Sequence, residues 1–270
     1  VDIQDVADKL TADGVGFVDT GDQPELFGGR YLFYSHSEKV GVLPRMLKDI
    51  FLRRVEINRK LKAGEYPKFE ISAMEKRQWV FKIILNSAYG AMGFNFFRLY
   101  KPECADAITF FARQSLKFAS VNFHRRGHKL ICGDTDSIFV LAGKSSSDDM
   151  IEKLVDFNVE LDRDFVRRYN PGVDKDYQHM DLKFEYDLEY CYFGESKKRY
   201  YGIMRDTGKK VIRGLNIIRK DTPNFLKGEL NDMAEKAVRG ELNIDWLVDL
   251  RSQLASIEPK ELGIAKAFGK

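Results

Sequence analysis

The residues with the clearest chemical potential are a cation, an amide and an aromatic side chain at helical spacing. Lys82, Asn86 and Tyr89 fall at positions i, i+4 and i+7, so they share one face of a helix. Such a face suits a ligand that carries phosphate, polar edges and a flat ring. The same run also fits a plain helix end, because Asn86 and Ser87 loosen a helix and Gly90 is a common terminating residue. The spacing alone leaves both interpretations open.

A second candidate is the pair of aspartates Asp134 and Asp136, which lie between two β-prone apolar runs. The intervening Gly-Asp-Thr-Asp predicts a β-hairpin whose tip carries both carboxylates in the same direction. Mg²⁺ takes oxygen ligands, usually one or two carboxylates with substrate phosphates, and a pair of such ions supports phosphoryl transfer. Aspartates are also ordinary turn residues, so turn formation without catalysis is the alternative interpretation.

Charge is distributed unevenly along the chain. Residues 1–40 carry eight acidic and three basic residues, a formal charge of −5, whereas residues 41–101 carry thirteen basic and five acidic residues, a formal charge of +8. A localised basic block is expected of a chain that binds a polyanion, although a solvated helical face has the same composition.

Two helices are predicted in the basic block, and they form an antiparallel hairpin. The first begins near Pro44 and runs to about Lys62, with an apolar stripe formed by Leu43, Leu47, Ile50, Ile57 and Leu61. Arg54 lies inside that stripe, where its guanidinium either reaches back to water or points at an anion.

The second helix of the hairpin is predicted from a capping-box pattern. Ser72 and Glu75 match the S-x-x-E signature that opens a helix, and Gly90 marks its end. Three apolar residues lie away from the Lys82 face and are expected to be available for burial: Val80, Ile83 and Ile84.

The other segments alternate helical and strand patterns. We predict a helix from Glu103 to about His124, the hairpin at 129–141, and a helix that begins at Ser147 and ends by Asn170. Residues 180–192 alternate strictly, which predicts one half-buried antiparallel strand, and residues 197–202 and 210–218 continue that sheet. Two C-terminal helices follow, the first from Thr222. The predicted fold class is α+β.

Bulk composition narrows the class of protein. The chain has 270 residues, 44% hydrophobic and 31% charged, which is typical of a globular protein with a real core. The sequence has no leader pattern and no apolar run long enough for a membrane helix, so we expect an intracellular protein that is not secreted. Cys104, Cys132 and Cys191 are too widely spaced for a thiolate metal site and fit a reducing compartment.

The motifs together resemble those of family B DNA polymerases. Residues 82–90 match the motif K-x-x-x-N-S-x-Y-G, residues 133–137 match the G-D-T-D-S core, and residues 197–200 match K-K-x-Y, in the order and spacing of the family. Residues 41–44 and 100–105 resemble the sequences that flank the two helices of its fingers. The similarity covers nearly the whole chain, from about residue 30 to the end.

The resemblance implies template-directed extension of a primer from deoxynucleoside triphosphates by a two-metal mechanism. Lys82 would grip the incoming triphosphate and contribute to catalysis, Arg54 would bind its phosphates, Asn86 would lie beside it, and Tyr89 would pack against the nascent base pair. Asp136 would be the firmer Mg²⁺ ligand and Asp134 the more peripheral one.

The resemblance also implies a surface that binds primer–template DNA. Fixed cations near the growing end would hold the polyanionic backbone, and the residues concerned are Lys197, Lys198, Arg199 and Tyr200. Glu185 is either an accessory carboxylate or a solvated strand residue.

The family pattern divides the chain into four regions. They are a palm-associated segment at 1–40, a fingers hairpin at 41–98, a palm with an antiparallel sheet at 99–203 and a partial helical thumb at 204–270. Two positions depart from the family. Asn58 stands where many relatives have a basic residue, for which Arg59 or Lys62 would compensate, and Cys132 replaces a tyrosine.

The largest departure is that no stretch before Gly41 matches the family motif D-x-x-S-L-Y-P, which supplies a second essential metal carboxylate. Motifs of the 3′–5′ exonuclease are also missing from the sequence. We therefore expect two Mg²⁺ ions to be shared with a carboxylate outside this chain, supplied by a second polypeptide or a missing N-terminal segment, and the isolated chain to be inactive. The alternative hypotheses are a non-catalytic DNA-binding module and a phosphate-binding protein unrelated to DNA.

Overall fold

The structure is a computed structural model that describes residues 2–23, 29–170, 172–173 and 179–258. The chain divides into two compact units, Val1–Lys183 and Phe184–Lys270, which are described separately. The helices of the described residues are α1 (Ile3–Ala12), α2 (Val42–Ala63), α3 (Lys68–Met92), α4 (Pro102–Arg125), α5 (Ser147–Glu160), α6 (Arg167–Tyr169), α7 (Asn224–Arg239) and α8 (Ile244–Ser256). The strands are β1 (Phe17–Asp19), β2 (Leu32–Tyr34), β3 (Lys129–Asp134), β4 (Ser137–Leu141), β5 (Leu188–Phe193), β6 (Tyr200–Met204) and β7 (Lys210–Arg213).

The strands pair in antiparallel fashion and form three small sheets within the described part of the chain. β1 pairs with β2, β3 pairs with β4, and β5, β6 and β7 form a three-stranded sheet in that order. This mixture of helices and antiparallel strands confirms the predicted α+β class. None of the described helices combines the length and the hydropathy that a bilayer crossing requires.

The first forty residues contain a helix that the sequence pattern did not predict. α1 is capped by Asp2, whose carboxylate accepts the Gln4 N–H at 2.8 Å. Dense acidic residues obscured its apolar spacing, but the cap and the early acidic residues favour a helix N-terminus. The short strand β2 follows and pairs with β1. Arg30 joins the two strands, because its Nε lies 2.9 Å from Asp19 Oδ1.

The predicted two-helix hairpin is present as α2 and α3. Residues 64–67 connect the helices, and Gly64 ends α2 with a φ of 67°, a left-handed conformation that favours glycine. Because the connection is this short and the helices pack together, they run antiparallel. The apolar stripe of α2 is confirmed: Ile57 is buried, and Leu43, Leu47, Ile50 and Leu61 are half-buried.

The predicted limits of α3 were wrong at both ends. α3 begins at Lys68, directly after Pro67, so Ser72 and Glu75 lie in its interior and do not form a capping box. Pro67 already ends the preceding loop, and residues 68–71 are able to adopt helical geometry. At the other end α3 continues through Gly90 to Met92, where burial of the Met92 side chain offsets the cost of about 1 kcal/mol for a helical glycine.

The core of the first unit lies around α4. Ala107 and Phe110 of α4 pack against Tyr31, with Phe33 and Phe111 at the edge of this cluster. Further along α4, Phe123 stacks on Phe157 of α5 with ring centroids 5.3 Å apart. Large buried aromatic rings dominate the stability of a core of this size. α4 therefore anchors both the N-terminal strands and α5.

α5 begins at Ser147, as predicted, and its N-cap is the preceding residue, Ser146. Ser146 Oγ accepts the Asp149 N–H at 3.1 Å, and the Asp149 carboxylate accepts the Ser146 N–H at 3.0 Å. Ser147 already has helical geometry, so it cannot be the cap. A π-helical segment, Leu161–Val166, follows α5 and leads into α6. The predicted end of this helical stretch before Asn170 is confirmed.

The predicted strand at 180–192 was only half correct. β5 begins at Leu188, and residues 179–187 are not paired in a sheet. The reason is visible at Leu182, whose N–H and C=O both bond to the Asn158 side chain at 2.8 Å. A side chain therefore satisfies backbone groups that a strand would otherwise pair. A bulge between Leu188 and Tyr190 then breaks the alternation.

The second unit consists of β5, β6 and β7 packed against α7. Tyr201 of β6 is fully buried, and its hydroxyl donates to Asn231 of α7 at 3.3 Å. The chain turns at residues 206–208 between β6 and β7, and β7 ends at Arg213, earlier than predicted. Gly214 has a φ of 62°, which takes the chain out of the strand. The end of the predicted thumb, residues 259–270, lies outside the described residues.

Candidate active-site residues

Asp134 and Asp136 lie at the tip of the β3–β4 hairpin. Asp134 is the last residue of β3, and the two-residue turn of Thr135 and Asp136 connects it to Ser137. Thr135 has a φ of 55°, which a tight hairpin turn requires. The Asp136 carboxylate is exposed and that of Asp134 is half-buried.

A set of local hydrogen bonds fixes this turn. The backbone oxygen of Asp134 accepts the Asp136 N–H at 2.6 Å and the Ser137 hydroxyl at 3.1 Å. Thr135 Oγ1 donates to Asp134 Oδ1 at 3.0 Å. Thr135 and Ser137 therefore have a structural use in the turn, because their hydroxyl groups close it around Asp134.

The side chain that precedes Asp134 on the same face of β3 is an uncharged thiol. Cys132 lies two residues before Asp134 on the same half-buried face of β3. Burial raises the pKa of the Cys132 thiol, and the nearby Asp134 carboxylate raises it further. The thiol therefore stays neutral at physiological pH. Both strands of the hairpin pack against α4, which ties the position of the tip to the core.

The donor set at the tip fits part of a magnesium site. Two carboxylates two residues apart provide the hard oxygen ligands that Mg²⁺ prefers. Among the residues that the structure describes, no cluster of three or more His, Cys, Asp or Glu side chains is close enough to hold a metal. Glu185, the residue considered as an accessory ligand, is exposed. It precedes β5, so the prediction that it lies on a strand was wrong.

Lys82, Asn86 and Tyr89 form one exposed row on α3, as their spacing predicted. The neighbouring side of α3 carries the stripe that is buried or half-buried, formed by Met74, Gln78, Phe81, Leu85, Ala88 and Met92. Val80, Ile83 and Ile84 were expected to be available for burial, but they are exposed by 48%, 43% and 39%. They lie outside the stripe that is buried or half-buried, and packing against α2 covers only one side of α3.

Arg54 on α2 is a half-buried cation with unused hydrogen-bonding capacity. Its Nε is buried and has no hydrogen-bond partner among the described residues. Buried donors of this kind are normally satisfied, so a missing partner calls for a physical reason. An α-helix rises 1.5 Å per residue. Counted from the loop that joins the two helices, the position of Arg54 on α2 and that of Lys82 on α3 therefore differ by about 7–8 Å along the hairpin axis.

Arg59 and Lys62, the two cations expected to compensate for Asn58, differ in their surroundings. Arg59 donates from Nε to Glu56 Oε2 at 3.0 Å and from Nη1 to Glu65 Oε1 at 2.7 Å. The hydrogen bond from Arg59, and next that from Lys60, lower the pKa of Glu56 to about 2. Arg59 is therefore already paired within the hairpin, whereas Lys62 is exposed.

The basic motif of the second unit forms a turn, whereas the sequence pattern placed it in a strand. Lys197, Lys198 and Arg199 are exposed between β5 and β6. The Gly194 N–H donates to the Arg199 oxygen at 2.8 Å, which closes the turn, and Lys198 has a φ of 64°. Tyr200 is half-buried at the start of β6, with its ring on Phe193.

Two residues that position this basic turn were missed at the sequence level. A Cβ at Gly214 would clash with the Lys198 backbone oxygen, so only glycine allows the turn to pack there. The signal was present, since a glycine directly after a strand often marks a close backbone approach. The second residue is Tyr186, whose hydroxyl lies 3.0 Å from that of Tyr200. The alternating pattern of residues 180–192, which include Tyr186, does not indicate this pairing.

The structure thus brings the predicted residues into three local groups: the aspartates in one turn, the Lys82 row on one helix, and the basic residues in another turn. The model of DNA polymerase family B matches residues 18–260, which is most of the chain. The chain belongs to DNA polymerase family B.

Several archaeal DNA polymerases are similar to this family B chain. The DNA polymerase of Pyrococcus glycovorans is 30% identical over 188 residues, which are 69% of this chain and 22% of that protein. The DNA polymerase of Archaeoglobus fulgidus is 30% identical over 236 residues, 85% of this chain and 28% of that protein. DNA polymerase 1 of Pyrococcus abyssi is 28% identical over 210 residues, 78% of this chain and 25% of that protein. The chain spans about a quarter of the length of these relatives.

Proposed function

We propose that this chain supplies the nucleotide-binding, part of the metal-binding and part of the DNA-binding machinery of a DNA-directed DNA polymerase. The reaction is template-directed transfer of a nucleotidyl group from a deoxynucleoside triphosphate to a primer 3′-hydroxyl. The observation that carries this proposal is the hydrogen-bonded turn that holds Asp134 and leaves the Asp136 carboxylate exposed, in a chain that belongs to family B.

Asp136 and Asp134 would hold Mg²⁺ in this proposal. Bound Mg²⁺ would activate the primer hydroxyl and stabilise charge on the phosphates. Asp136, exposed in the turn, is the principal ligand, and Asp134, half-buried and bonded to Thr135, is the peripheral one. The neutral Cys132 thiol beneath them adds no competing charge. A carboxylate outside these 270 residues, from a second polypeptide or another segment, completes the ligand set.

The α2–α3 hairpin would bind the incoming nucleotide. Lys82 contacts the triphosphate and assists its reaction, Asn86 lies beside the nucleotide, and Tyr89 packs on the new base pair. The three side chains are exposed in one row, which leaves them available to a ligand. Arg54 contributes a second cation, and a phosphate oxygen would satisfy its unpartnered Nε.

The turn of the second unit would hold the primer–template. Lys197, Lys198 and Arg199 present three exposed cations close together in sequence, and contacts of this type to phosphates supply most sequence-independent affinity. In this proposal residues 1–40 are associated with the palm, 41–98 form the fingers, 99–203 form the palm and 204–270 form part of the thumb.

The test is reconstitution of primer extension. The chain would be combined with the upstream part of the Archaeoglobus fulgidus DNA polymerase, as a separate polypeptide and as a fusion, together with primed template, deoxynucleotides and Mg²⁺. Extension is expected in the combined sample, with a loss of about 100-fold or more for Asp136→Asn. Asp206→Asn, a matched change in an exposed turn of the second unit, is expected to leave extension unchanged.

Two further measurements separate the assigned roles. Lys82→Ala is expected to raise KM for the deoxynucleotide and to lower kcat. Replacing Lys197, Lys198 and Arg199 by alanine is expected to reduce the slope of log affinity against log salt by about 0.9 for each phosphate that the protein no longer neutralises. Salt-dependent DNA binding without extension in the fusion would identify a non-catalytic DNA-binding module, and full activity of Asp136→Asn would refute its role as a ligand.

A further inference from the structure

The outer face of α5 carries two rows of side chains that are unusual on a free helix. Ile151, Val155 and Val159 recur at every fourth position and are exposed by 43%, 61% and 61%. β-branched residues are among the weaker helix formers, so their presence at exposed helical positions has no benefit from helix propensity. Aligned apolar side chains of this kind indicate a contact surface.

An acidic row runs beside the apolar one. Asp148, Glu152 and Asp156 also recur at every fourth position, and all three are exposed. Within the described part of the chain none of them has an ion-pair partner. Like charges at this spacing repel one another along a helix. A cation that approaches the row would relieve this repulsion.

The inner face of α5 packs into the core of the first unit. Met150 and Phe157 are buried in the core of the first unit. The single cation of α5, Lys153, is turned away from the acidic row, with its Nζ 3.1 Å from Ser145 Oγ and 3.3 Å from His128 Nε2. α5 thus has no basic residue of its own to balance the acidic row.

We propose that this outer face of α5 docks a basic amphipathic helix of a partner polypeptide. Two rows at a four-residue repeat form ridges with a groove between them, and ridges of this class receive a second helix at a crossing angle of about −50°. Apolar side chains of the partner contact Ile151, Val155 and Val159, and its Lys or Arg residues pair with Asp148, Glu152 and Asp156. The acidic row repels nucleic acid, which makes a polypeptide the matching occupant.

The docking face is independent of the polymerase chemistry, so its test uses neither DNA nor nucleotide. The probe is a synthetic helical peptide of about four turns with a leucine stripe flanked by lysines, and the matched peptide has glutamates in place of the lysines. Binding to the full chain is measured by fluorescence anisotropy. We expect the lysine peptide to bind about tenfold or more tightly than the glutamate peptide.

Variants of the chain decide between the possible outcomes. The double variant E152K/D156K is expected to reverse the peptide preference. V155T/V159T, which makes the apolar row more polar with little change of shape, is expected to weaken lysine-peptide binding about tenfold while circular dichroism and melting stay unchanged. V121T, at a similarly exposed valine on α4, is the control and is expected to have no effect.

Three results would overturn the proposal. The first is equal binding of both peptides, or of neither. The second is unchanged binding by V155T/V159T. The third is self-association of the chain in sedimentation that V155T/V159T abolishes without any peptide binding, because this would identify a second copy of the chain as the occupant.

Discussion

The hydroxyl groups of Tyr186 and Tyr200 lie 3.0 Å apart in the second unit. Burial raises the pKa of Tyr186, and the hydrogen bond to Tyr200 raises it further. Tyr200 directly follows the basic turn, so this pair fixes the residue at which the turn enters β6. The proposed DNA-binding surface is therefore supported by Tyr186, a half-buried tyrosine outside the basic turn.

Removing one hydroxyl of this pair should destabilise the protein modestly. Tyr186→Phe is expected to lower the free energy of unfolding by about 0.5–1.5 kcal/mol, since one hydrogen bond in a partly buried site is removed. The measurement is urea denaturation followed by circular dichroism. Tyr192→Phe is the matched control, because Tyr192 is an exposed tyrosine of β5. Equal effects of the two variants would contradict a specific role for the Tyr186 hydroxyl.

Stability should fall at alkaline pH, and Tyr186 should contribute to that loss. The pKa values of Tyr186 and Tyr201 are raised in the folded state, mainly by burial. The folded protein then holds these protons more tightly than the unfolded chain, so the contribution is full below the unfolded pKa near 10 and is lost as pH rises above it. Urea denaturation of the wild type and Tyr186→Phe at pH values below and above 10 checks this. A smaller alkaline loss is expected in Tyr186→Phe, and an identical loss would refute the assignment.

Gly214 should tolerate substitution less well than a glycine with the same backbone conformation. Gly214→Ala combines a left-handed φ with a Cβ that would clash with the Lys198 oxygen, whereas Gly208 has a φ of 66° and open space around it. Gly208→Ala is expected to cost about 1–2 kcal/mol for the backbone alone, and Gly214→Ala about 1–3 kcal/mol more. Thermal and urea denaturation measure both. Anisotropy with a labelled primer–template is expected to show weaker DNA binding for Gly214→Ala only.

The α5 cap provides a direct check on where that helix begins. Ser146→Ala removes the side chain that accepts the Asp149 N–H, and an expected cost of about 0.5–2 kcal/mol follows from the loss of an N-cap. Ser115→Ala, inside α4, is the control and is expected to be neutral or slightly stabilising, because alanine is the better helix former. If the two substitutions had the same effect on the free energy of unfolding, Ser146 would not be the cap.

Local patterns predicted the elements well where one physical effect dominates. The hairpin at Asp134 and Asp136 followed from two apolar runs around a turn sequence, and the stripe of α2 followed from helical spacing. The row formed by Lys82, Asn86 and Tyr89 needed only the periodicity of a helix. These features depend on residues close together in the chain, so the sequence contains what determines them.

Predictions were wrong where distant residues decide the outcome. The segment before Leu188 alternates like a strand. However, the backbone of Leu182 in that segment is hydrogen-bonded to the side chain of Asn158, which lies 24 residues earlier in the chain. Val80, Ile83 and Ile84 were expected to be available for burial, but burial depends on which neighbours are present. The fit of Gly214 against Lys198 likewise joins positions that are separated in sequence, so the glycine could indicate a close approach but could not identify Lys198 as the neighbour.

The π-helical segment at Leu161–Val166 sets the phase of the aromatic side chains that follow α5. In an α-helix each residue advances by about 100°, so side chains at every fourth position drift steadily around the axis. The wider π-helical turn counteracts this drift, and Phe165 and Tyr169 both reach aromatic partners on α4, with ring centroids 5.7 Å from Phe118 and 5.1 Å from Phe111. If the same six residues were wound as a regular α-helix, Tyr169 would rotate away from Phe111, and the end of this long helical stretch would lose that contact with α4.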